Sequence, residues 1–293
     1  IFDVVGRTYP PVPDQYERRL GMVRAEGTFQ HPIMFGVVMS LFFAPFFYMR
    51  RRDGRQGGAR RAFWSAMATF FSLSTGAWLS TMTQVGLMVW GGIFSAQHWR
   101  WKVLMFVTAL GYVTIDLFSN RTPFEVFVSY MTLNTGTGYM RVLIFSYGMD
   151  NVWANPVFGL GLGDWERPSW MYSASVDNFW LLSAMRFGIP GFLFCVASYV
   201  ATLIQLGRAK ITDPAVAMER NGLVFALVGV ALSICTVHLW GTSLYFLLFM
   251  WGAGGWMWDY VNTSAPAAAG PKTPVSWSGG QPQIARPALA IRR

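Results

Sequence analysis

The fold is decided by the stretch from residue 175 to residue 206, which reads SVDNFWLLSAMRFGIPGFLFCVASYVATLIQL. Its polar beginning holds the acid Asp177 and the amide Asn178, and an apolar run that includes Arg186 follows. The run is longer than the roughly 17–25 residues that cross a bilayer. The stretch therefore predicts a membrane helix with polar side chains where it meets the membrane surface.

The composition agrees with a membrane protein. Hydrophobic residues make up 53% of the chain and charged residues 13%, against roughly 25% charged in soluble domains. Apolar runs recur at about 33–49, 62–79, 82–97, 103–119, 179–206, 222–240 and 244–260. The sequence predicts an all-α, polytopic integral membrane helix bundle of about seven spans with one long loop.

The region 62–97 is the ambiguous part of this pattern. Ser74-Thr75-Gly76 interrupts it, which favours two short helices joined by a tight turn. A single tilted helix is the alternative.

Clusters of Arg and Lys set the predicted orientation, because short cytoplasmic loops collect these residues. Residues 50–61 carry a net charge of +5, and the tail after Asp259 carries +4 with no acid. Both segments are predicted to be cytoplasmic, which requires an even number of spans between them and supports two helices in 62–97. Because the positive residues are spread over membrane-flanking loops, they argue against a nucleic-acid partner.

The chain then divides into five parts. They are an outer segment 1–32, a four-helix membrane region 33–119, an outer loop 120–178, a three-helix membrane region 179–260 and a disordered cytoplasmic tail 261–293. Helices are predicted at 122–133 and 137–151, with Asn155-Pro156 ending the second. We also expect earlier helices before Ile1, since the first 32 residues resemble a loop.

Metal and cofactor chemistry is not predicted. The three His are far apart, and Cys195 and Cys235 lie within apolar runs, where sulfur behaves as a small hydrophobe. The glycines of 159–163 lack the spacing of a dinucleotide-binding loop.

The polar candidates gather on the predicted outer face. They are Arg24 and His31 before the first span, Arg121, Arg141, Asp177 and Asn178 in or at the end of the long loop, and His238 at the end of the sixth span. Ionisable side chains that persist near a membrane usually face a cavity or a partner. The sequence predicts a cavity that opens outward.

Four pieces of sequence, taken in order, resemble the bacterial O-antigen ligase and polymerase superfamily. They are Arg24-Ala25-Glu26-Gly27-Thr28-Phe29-Gln30-His31-Pro32, then Phe70-Phe71-Ser72-Leu73-Ser74-Thr75-Gly76-Ala77-Trp78-Leu79, then Arg141 with Asn155-Pro156-Val157-Phe158-Gly159-Leu160-Gly161, and Asp177-Asn178 with Gly188-Ile189-Pro190-Gly191. The resemblance implies a bundle of roughly ten or more membrane helices in the bacterial inner membrane, with one large periplasmic loop. It thereby implies that the outer segment 1–32 and the outer loop 120–178 are periplasmic. It also implies transfer of a glycan from an undecaprenyl-diphosphate carrier to an acceptor glycan or glycolipid, without metal or nucleotide sugar.

The resemblance suggests a role for each candidate. Arg141 is the first choice to hold the diphosphate, because a guanidinium binds phosphate oxygens in pairs. Arg24 matches a family motif, and Arg121 is placed by topology alone. Asp177 is the predicted general base, with His238 or His31 as an alternative imidazole. Asn178 would orient a sugar or the base.

Other roles and functions remain open at this point. Ligases of the family usually have His before the Asn, so Asp177-Asn178 favours a polymerase or another glycan transferase. Structural alternatives are a helix N-cap for Asp177 and Asn178, and lipid anchoring for Arg141 and Arg24. A transporter or flippase of lipid-linked sugars is the alternative function, although such proteins often have paired interrupted helices. A membrane scaffold is a third.

Overall fold

The computed structural model describes residues 18–49, 57–130 and 135–264. The predictions for 1–17, for the arginines of 50–56 and for the tail beyond 264 lie outside these described residues. The chain is mostly helical, at 71%, with one small antiparallel hairpin made of β1 (Arg18–Arg19) and β2 (Met22–Val23). The predicted all-α class is confirmed.

Ten helices follow in the described residues. They are α1 (Pro32–Tyr48), α2 (Gly58–Phe71), α3 (Thr75–Ile93), α4 (Arg100–Phe118), α5 (Pro123–Tyr130), α6 (Thr135–Ala154), α7 (Phe179–Arg208), α8 (Pro214–Ser233), α9 (Gly241–Gly252) and α10 (Gly255–Ser264). Three of them, α4, α7 and α8, are long and apolar enough to cross a membrane, and α1 is a shorter apolar helix. The count of seven spans stays a prediction.

The region 62–97 forms two helices, so the two-helix prediction is confirmed over the single tilted helix. The break lies at residues 72–74, two residues earlier than expected. Leu73 occupies the left-handed region with φ 49° although its side chain is buried. A branched residue rarely adopts this conformation, which costs about 1–3 kcal/mol, so the surrounding contacts must hold the turn in place.

The predicted helices of the long loop are present. α5 begins with a capping box in which Thr122 and Glu125 each accept a hydrogen bond from the other's backbone N–H, at 3.2 and 3.0 Å. α6 ends at Ala154, immediately before Asn155-Pro156, as expected.

Two predicted spans differ from the structure. The run 244–260 is divided between α9 and α10, because the sequence Gly252-Ala253-Gly254-Gly255 has little helix propensity. The run 222–240 is displaced, since Asp213 caps α8 with Pro214 as its first residue, and the helix already ends at Ser233. His238 therefore lies in the connection between α8 and α9 rather than at the end of a span.

Helix α1 lies at the centre of the bundle, where it packs against α2, α3, α8 and α9. The main apolar core joins α1, α3, α8, α9 and the second half of α7. A smaller core joins α6, the segment 160–176 and the first half of α7. Helix α7 therefore connects the two cores, with its first half in the smaller core and its second half in the main core.

Helix α4 is the exception to this packing, because none of its residues is buried. Its beginning is tied to the end of α3, where Arg100 donates hydrogen bonds to the carbonyls of Gly91, Phe94 and Ser95 at 2.9–3.2 Å. Such bonds satisfy carbonyls that a helix end leaves without an intrahelical partner.

Candidate functional site

The segment before α1 crosses the α2–α3 turn. Arg19 donates from Nη1 to the carbonyl of Leu73 at 2.8 Å, and Arg24 donates from Nε to the carbonyl of Ser72 at 2.9 Å. The N–H of Ala25 bonds the carbonyl of Phe71 at 2.9 Å. These bonds join the first two pieces of the family resemblance and hold two guanidinium groups beside the strained turn.

Arg141 and Asp177, the two predicted catalytic residues, lie next to each other. Arg141 projects from α6 and is 8% exposed, and its Nε lies 3.9 Å from Oδ2 of Asp177, whose side chain is 41% exposed. Oδ1 of Asp177 accepts a hydrogen bond from the hydroxyl of Ser175 at 3.1 Å. Within the part of the chain that the structure describes, the buried Nε of Arg141 has no hydrogen-bond partner.

The surroundings of Arg141 favour a negatively charged ligand. Burial lowers the pKa of its guanidinium and the charge of Arg19 adds to this, while Asp177 acts in the opposite direction. Arginine nevertheless stays charged in proteins. The buried guanidinium of Arg141 has one carboxylate 3.9 Å away, which is too far for a hydrogen bond, and a second cation nearby. Its charge is therefore incompletely compensated, and an anion at this place would complete the compensation.

Asn178 has a definite structural role. Its Oδ1 accepts a hydrogen bond from the N–H of Leu181 at 3.0 Å, which makes it the N-cap of α7. The helix start is also fixed by the N–H of Phe179, which bonds the carbonyl of Ile234 at 2.9 Å. The cap uses the amide oxygen, so the amide nitrogen is the group that could contact a ligand.

His238 lies near Asp177 in the α8–α9 connection. Burial lowers its pKa to about 4, the charge of Arg186 contributes, and Asp177 partly opposes both. Its Nδ1 is buried without a hydrogen-bond partner among the described residues. The imidazole is therefore neutral near pH 7 and has a ring nitrogen that no other side chain uses.

His31 caps α1, because its Nδ1 accepts a hydrogen bond from the N–H of Ile33 at 3.1 Å. Its ring centre lies 6.2 Å from that of Trp240, and the ring of His238 lies 6.0 Å from the same indole. Both candidate imidazoles thus lie close to the ring of Trp240. His31 already has the structural role of a helix cap.

Arg121 is placed differently from the other candidates. It lies in the connection between α4 and α5 with an exposed side chain, and its backbone N–H bonds Oγ of Ser119 at 3.1 Å. In the described residues it makes no contact with Arg141 or Asp177. The structure therefore does not bring it to the Arg141–Asp177 pair.

The loop at residues 155–161 is inserted against a break in α7. Gly188 has φ 68° and ψ −179°, which interrupts the helix. The N–H of Ile189 bonds the carbonyl of Pro156 at 2.7 Å, and the N–H of Gly161 bonds the carbonyl of Arg186 at 3.0 Å. The third and fourth pieces of the family resemblance are thus two sides of one hydrogen-bonded joint, which holds the loop against the helix that follows Asp177.

Two arginines near the site, Arg19 and Arg186, were not among the predicted site residues. The positive charge of Arg19 lowers the pKa of Arg141, and the positive charge of Arg186 lowers the pKa of His238. Arg186 could be noticed from the sequence because it is an arginine inside an apolar run, whereas no pattern pointed to Arg19. In the described part of the chain, no group of three or more His, Cys, Asp or Glu residues could hold a metal ion.

Comparison with known proteins supports the resemblance that the sequence pieces suggested. Residues 61–196 match the family model described as O-Antigen ligase. The matched segment contains Arg121, Arg141, Asp177 and Asn178, whereas Arg24, His31 and His238 lie outside it. No curated protein matches the chain.

Proposed function

Because residues 61–196 belong to the O-antigen ligase-like superfamily, we propose that this chain is a membrane glycosyltransferase of surface-polysaccharide assembly. Its donor is a glycan linked to undecaprenyl diphosphate, and its acceptor is the hydroxyl of a second glycan or glycolipid. The reaction takes place at the periplasmic face of the bacterial inner membrane. The apolar helices α4, α7 and α8 embed the chain in the bilayer that also holds the donor.

The observation that carries this proposal is the buried guanidinium of Arg141. Its Nε lacks a hydrogen-bond partner among the described residues and lies 3.9 Å from Asp177. A diphosphate oxygen would provide that missing partner with a charge-assisted hydrogen bond. Arg19 and Arg24, which are bound to neighbouring carbonyls of the α2–α3 turn, place further positive charge near the leaving group.

Asp177 and Arg141 together can perform the glycosyl transfer. The carboxylate of Asp177 takes the proton of the acceptor hydroxyl, and the acceptor oxygen forms a bond to the anomeric carbon of the donor. The bond from that carbon to the diphosphate oxygen breaks, and the diphosphate leaves with the electron pair. Arg141 stabilises the charge that develops on the leaving oxygen.

His238 is a second candidate for the base. Its imidazole is neutral because burial and Arg186 lower its pKa to about 4. Asp177 is close enough to raise that pKa in part. A neutral imidazole can accept a proton at pH 7. We place Asp177 first because it is directly paired with Arg141.

The identity of the acceptor distinguishes a polymerase from a ligase. Asp177 stands where ligases of the family usually have His, which favours a polymerase. A polymerase lengthens a carrier-linked glycan, whereas a ligase moves the glycan to lipid A-core. A flippase, the alternative function, would move the lipid-linked sugar without forming a new glycosidic bond.

The test uses the full-length protein in proteoliposomes with an undecaprenyl-diphosphate-linked oligosaccharide. Products are separated by gel and identified by mass spectrometry. We compare wild type with Arg141→Ala and Asp177→Asn, and use Arg208→Gln as a matched control, because Arg208 is exposed at the other end of α7. We expect the first two to lose at least about a hundredfold in rate, the scale of one catalytic group.

The outcomes separate the alternatives. Longer carrier-linked chains establish a polymerase, and label on lipid A-core establishes a ligase. Full glycan transfer by correctly inserted Arg141→Ala and Asp177→Asn contradicts the proposed site. Unchanged substrate beside an active reference enzyme contradicts the proposed activity.

A further inference from the structure

A cavity lies against α7, the helix that begins shortly after Asp177. It has a volume of about 230 Å³ and lies between the segment 160–165 and the first half of α7. Leu160, Leu182 and Met185 form apolar walls, and Asp164 and Arg186 provide charged groups of opposite sign. Its volume is below the roughly 300–1,000 Å³ of pockets for drug-sized ligands, so it is suited to one small ring.

The walls of this cavity are held in place without a ligand. Trp165 is 7% exposed, and its Nε1 donates to the carbonyl of Ala174 at 3.1 Å. The guanidinium of Arg167 lies 5.5 Å above the indole and bonds the carbonyl of Met171 at 3.0 Å. A preformed cavity binds a ligand without the cost of ordering its own side chains.

The polar groups of the cavity are complementary. Oδ1 of Asp164 accepts hydrogen bonds from the Trp165 N–H and from Arg167, at 2.9 and 2.6 Å, which leaves Oδ2 as a further acceptor. Arg186 is exposed, and within the described residues its guanidinium makes no hydrogen bond or ion pair. The cavity thus presents one acceptor and one charged donor to a ligand.

These groups select among ligand classes. A lipid chain would leave Arg186 and Oδ2 of Asp164 without a hydrogen-bond partner, and a diphosphate would be repelled by the carboxylate of Asp164. A sugar ring has hydroxyl groups that both donate and accept hydrogen bonds, and C–H faces that pack on apolar walls. The cavity therefore fits a pyranose better than it fits a lipid or a phosphate.

The cavity lies against the first turns of α7, the helix that follows Asp177. Arg186 acts electrostatically on His238, which in turn is affected by Asp177. Arg186 lies about 12 Å along α7 from Asn178, at about 1.5 Å per residue. A sugar bound by Arg186 is therefore too far from Asp177 to carry the reacting hydroxyl, and it would be another residue of the same glycan.

We propose that this cavity binds one pyranose residue of the acceptor glycan, internal to the residue that reacts, with Arg186 and Asp164 as its hydrogen-bonding groups. The proposal rests on the glycosyltransferase function proposed above. The bound residue positions the acceptor, and the arginines around Arg141 hold the donor, so both substrates can be present together.

The test uses a cavity-filling variant, Ala174→Trp, which keeps the backbone carbonyl that bonds Trp165. Ala201→Trp is its matched control, because Ala201 is exposed on α7 away from the cavity. Arg186→Gln removes the charged donor, with Arg208→Gln as control. Binding of methyl α-D-glucopyranoside, methyl α-D-galactopyranoside and methyl α-D-mannopyranoside to the full chain in nanodiscs is measured by saturation-transfer NMR.

We expect Ala174→Trp to abolish the saturation-transfer signal. In the transfer assay it should raise the KM for the acceptor at least about tenfold, the scale of one hydrogen bond to a charged group, while the KM for the donor stays unchanged. Arg186→Gln should raise the acceptor KM in the same direction. The two control variants should match wild type in both assays.

Two failures can be told apart. If wild type transfers glycan and Ala174→Trp leaves the acceptor KM unchanged, the sugar site is wrong and the proposed function stands. If wild type transfers nothing but binds a methyl pyranoside that Ala174→Trp displaces, the proposed function is wrong and the sugar site stands. Absence of any pyranoside signal together with an unchanged acceptor KM overturns the proposal.

Discussion

The backbone N–H of Leu160 donates a hydrogen bond to the carbonyl of Met185 at 2.7 Å. In a continuous helix this carbonyl would bind the N–H of Ile189. The next carbonyl, that of Arg186, would face Pro190, which has no N–H. The loop thus provides donors at the two places where α7 cannot provide its own.

The first prediction concerns the two glycines of this joint. Gly159 and Gly188 have φ of 69° and 68°, and a Cβ on Gly159 would lie 2.5 Å from the carbonyl carbon of Arg186. Left-handed backbone alone costs about 1–2 kcal/mol with a side chain, so we expect Gly159→Ala and Gly188→Ala each to lower the free energy of unfolding by more than about 2 kcal/mol. Thermal unfolding in detergent measures this.

Gly207→Ala is the control for the joint, because nothing lies within 4 Å of a Cβ at Gly207 in α7. It should be neutral or slightly stabilising. Equal melting temperatures for Gly188→Ala and Gly207→Ala would contradict the account of the joint.

The second prediction concerns Gln84, whose side chain is inserted into the backbone ladder of α1. Its Oε1 accepts from the N–H of Ala44 at 3.1 Å, and its Nε2 donates to the carbonyl of Ser40 at 2.9 Å. Gln84→Met keeps the length of the side chain but leaves two buried backbone groups without these partners. We expect a loss of about 1–3 kcal/mol in unfolding free energy.

Gln205→Met on exposed α7 surface is the matched substitution and should have little effect. If α1 closes the bond between Ala44 and Ser40 by itself, Gln84→Met will unfold at the same temperature as wild type. That result would show that the inserted amide is not needed.

The third prediction separates the two roles of Asn178. Asn178→Ala removes the cap of α7 and should cost about 1 kcal/mol of stability. Asn178→Asp keeps the capping oxygen but removes the amide donor, so stability should be retained. If the nitrogen of Asn178 contacts a substrate, glycan transfer by Asn178→Asp will fall while its melting temperature stays unchanged.

Asp213→Ala provides the comparison for capping alone, since Oδ1 of Asp213 accepts from the N–H of Ala215 at 2.8 Å at the start of α8. It should lower stability by a similar amount and leave the KM values unchanged. Full transfer activity of Asn178→Asp would assign Asn178 to capping only.

The fourth prediction concerns the titration of His238. NMR of the chain labelled with ¹³C-histidine should show one of the three histidines titrating at pKa about 4, and this signal should be missing in His238→Gln. Burial is the main cause and Arg186 the second, so Arg186→Gln should raise the pKa only part of the way to 6.5. Arg208→Gln should leave it unchanged.

The same shift has a consequence for stability. The unfolded state takes up a proton on His238 near pH 6.5, whereas the folded state keeps His238 neutral until about pH 4. The contribution of the neutral, buried imidazole to the free energy of unfolding is therefore fully present above pH 6.5 and is lost as the pH falls to about 4. A wild-type signal that titrates near 6.5 would contradict both statements.

Much of the helical organisation could be predicted from the sequence. The apolar runs located α1, α4 and α7, and Asn155-Pro156 located the end of α6, because these features depend on local composition. The division of 244–260 into α9 and α10 was missed, since a glycine-rich step inside an apolar run has no strong signal.

The candidate site was predictable in part. The sequence singled out Arg141 and Asp177 separately, and the structure places them together at 3.9 Å. The roles of His31 and Asn178 as caps follow from their positions before helices. The joint at Gly188 and the cavity beside Trp165 depend on backbone groups of distant segments, which side-chain patterns do not encode.

The joint also bears on how the chain is made. Residues 155–161 leave the ribosome before α7, because synthesis proceeds from the N-terminus. An unpaired carbonyl in lipid costs several kcal/mol, so a helix broken at Gly188 would be a poor substrate for the insertion machinery by itself. Leu160 and Gly161 are synthesised before α7, so their N–H groups are already present when the helix enters the bilayer. They can then bind the carbonyls of Met185 and Arg186, which would otherwise be unpaired in lipid.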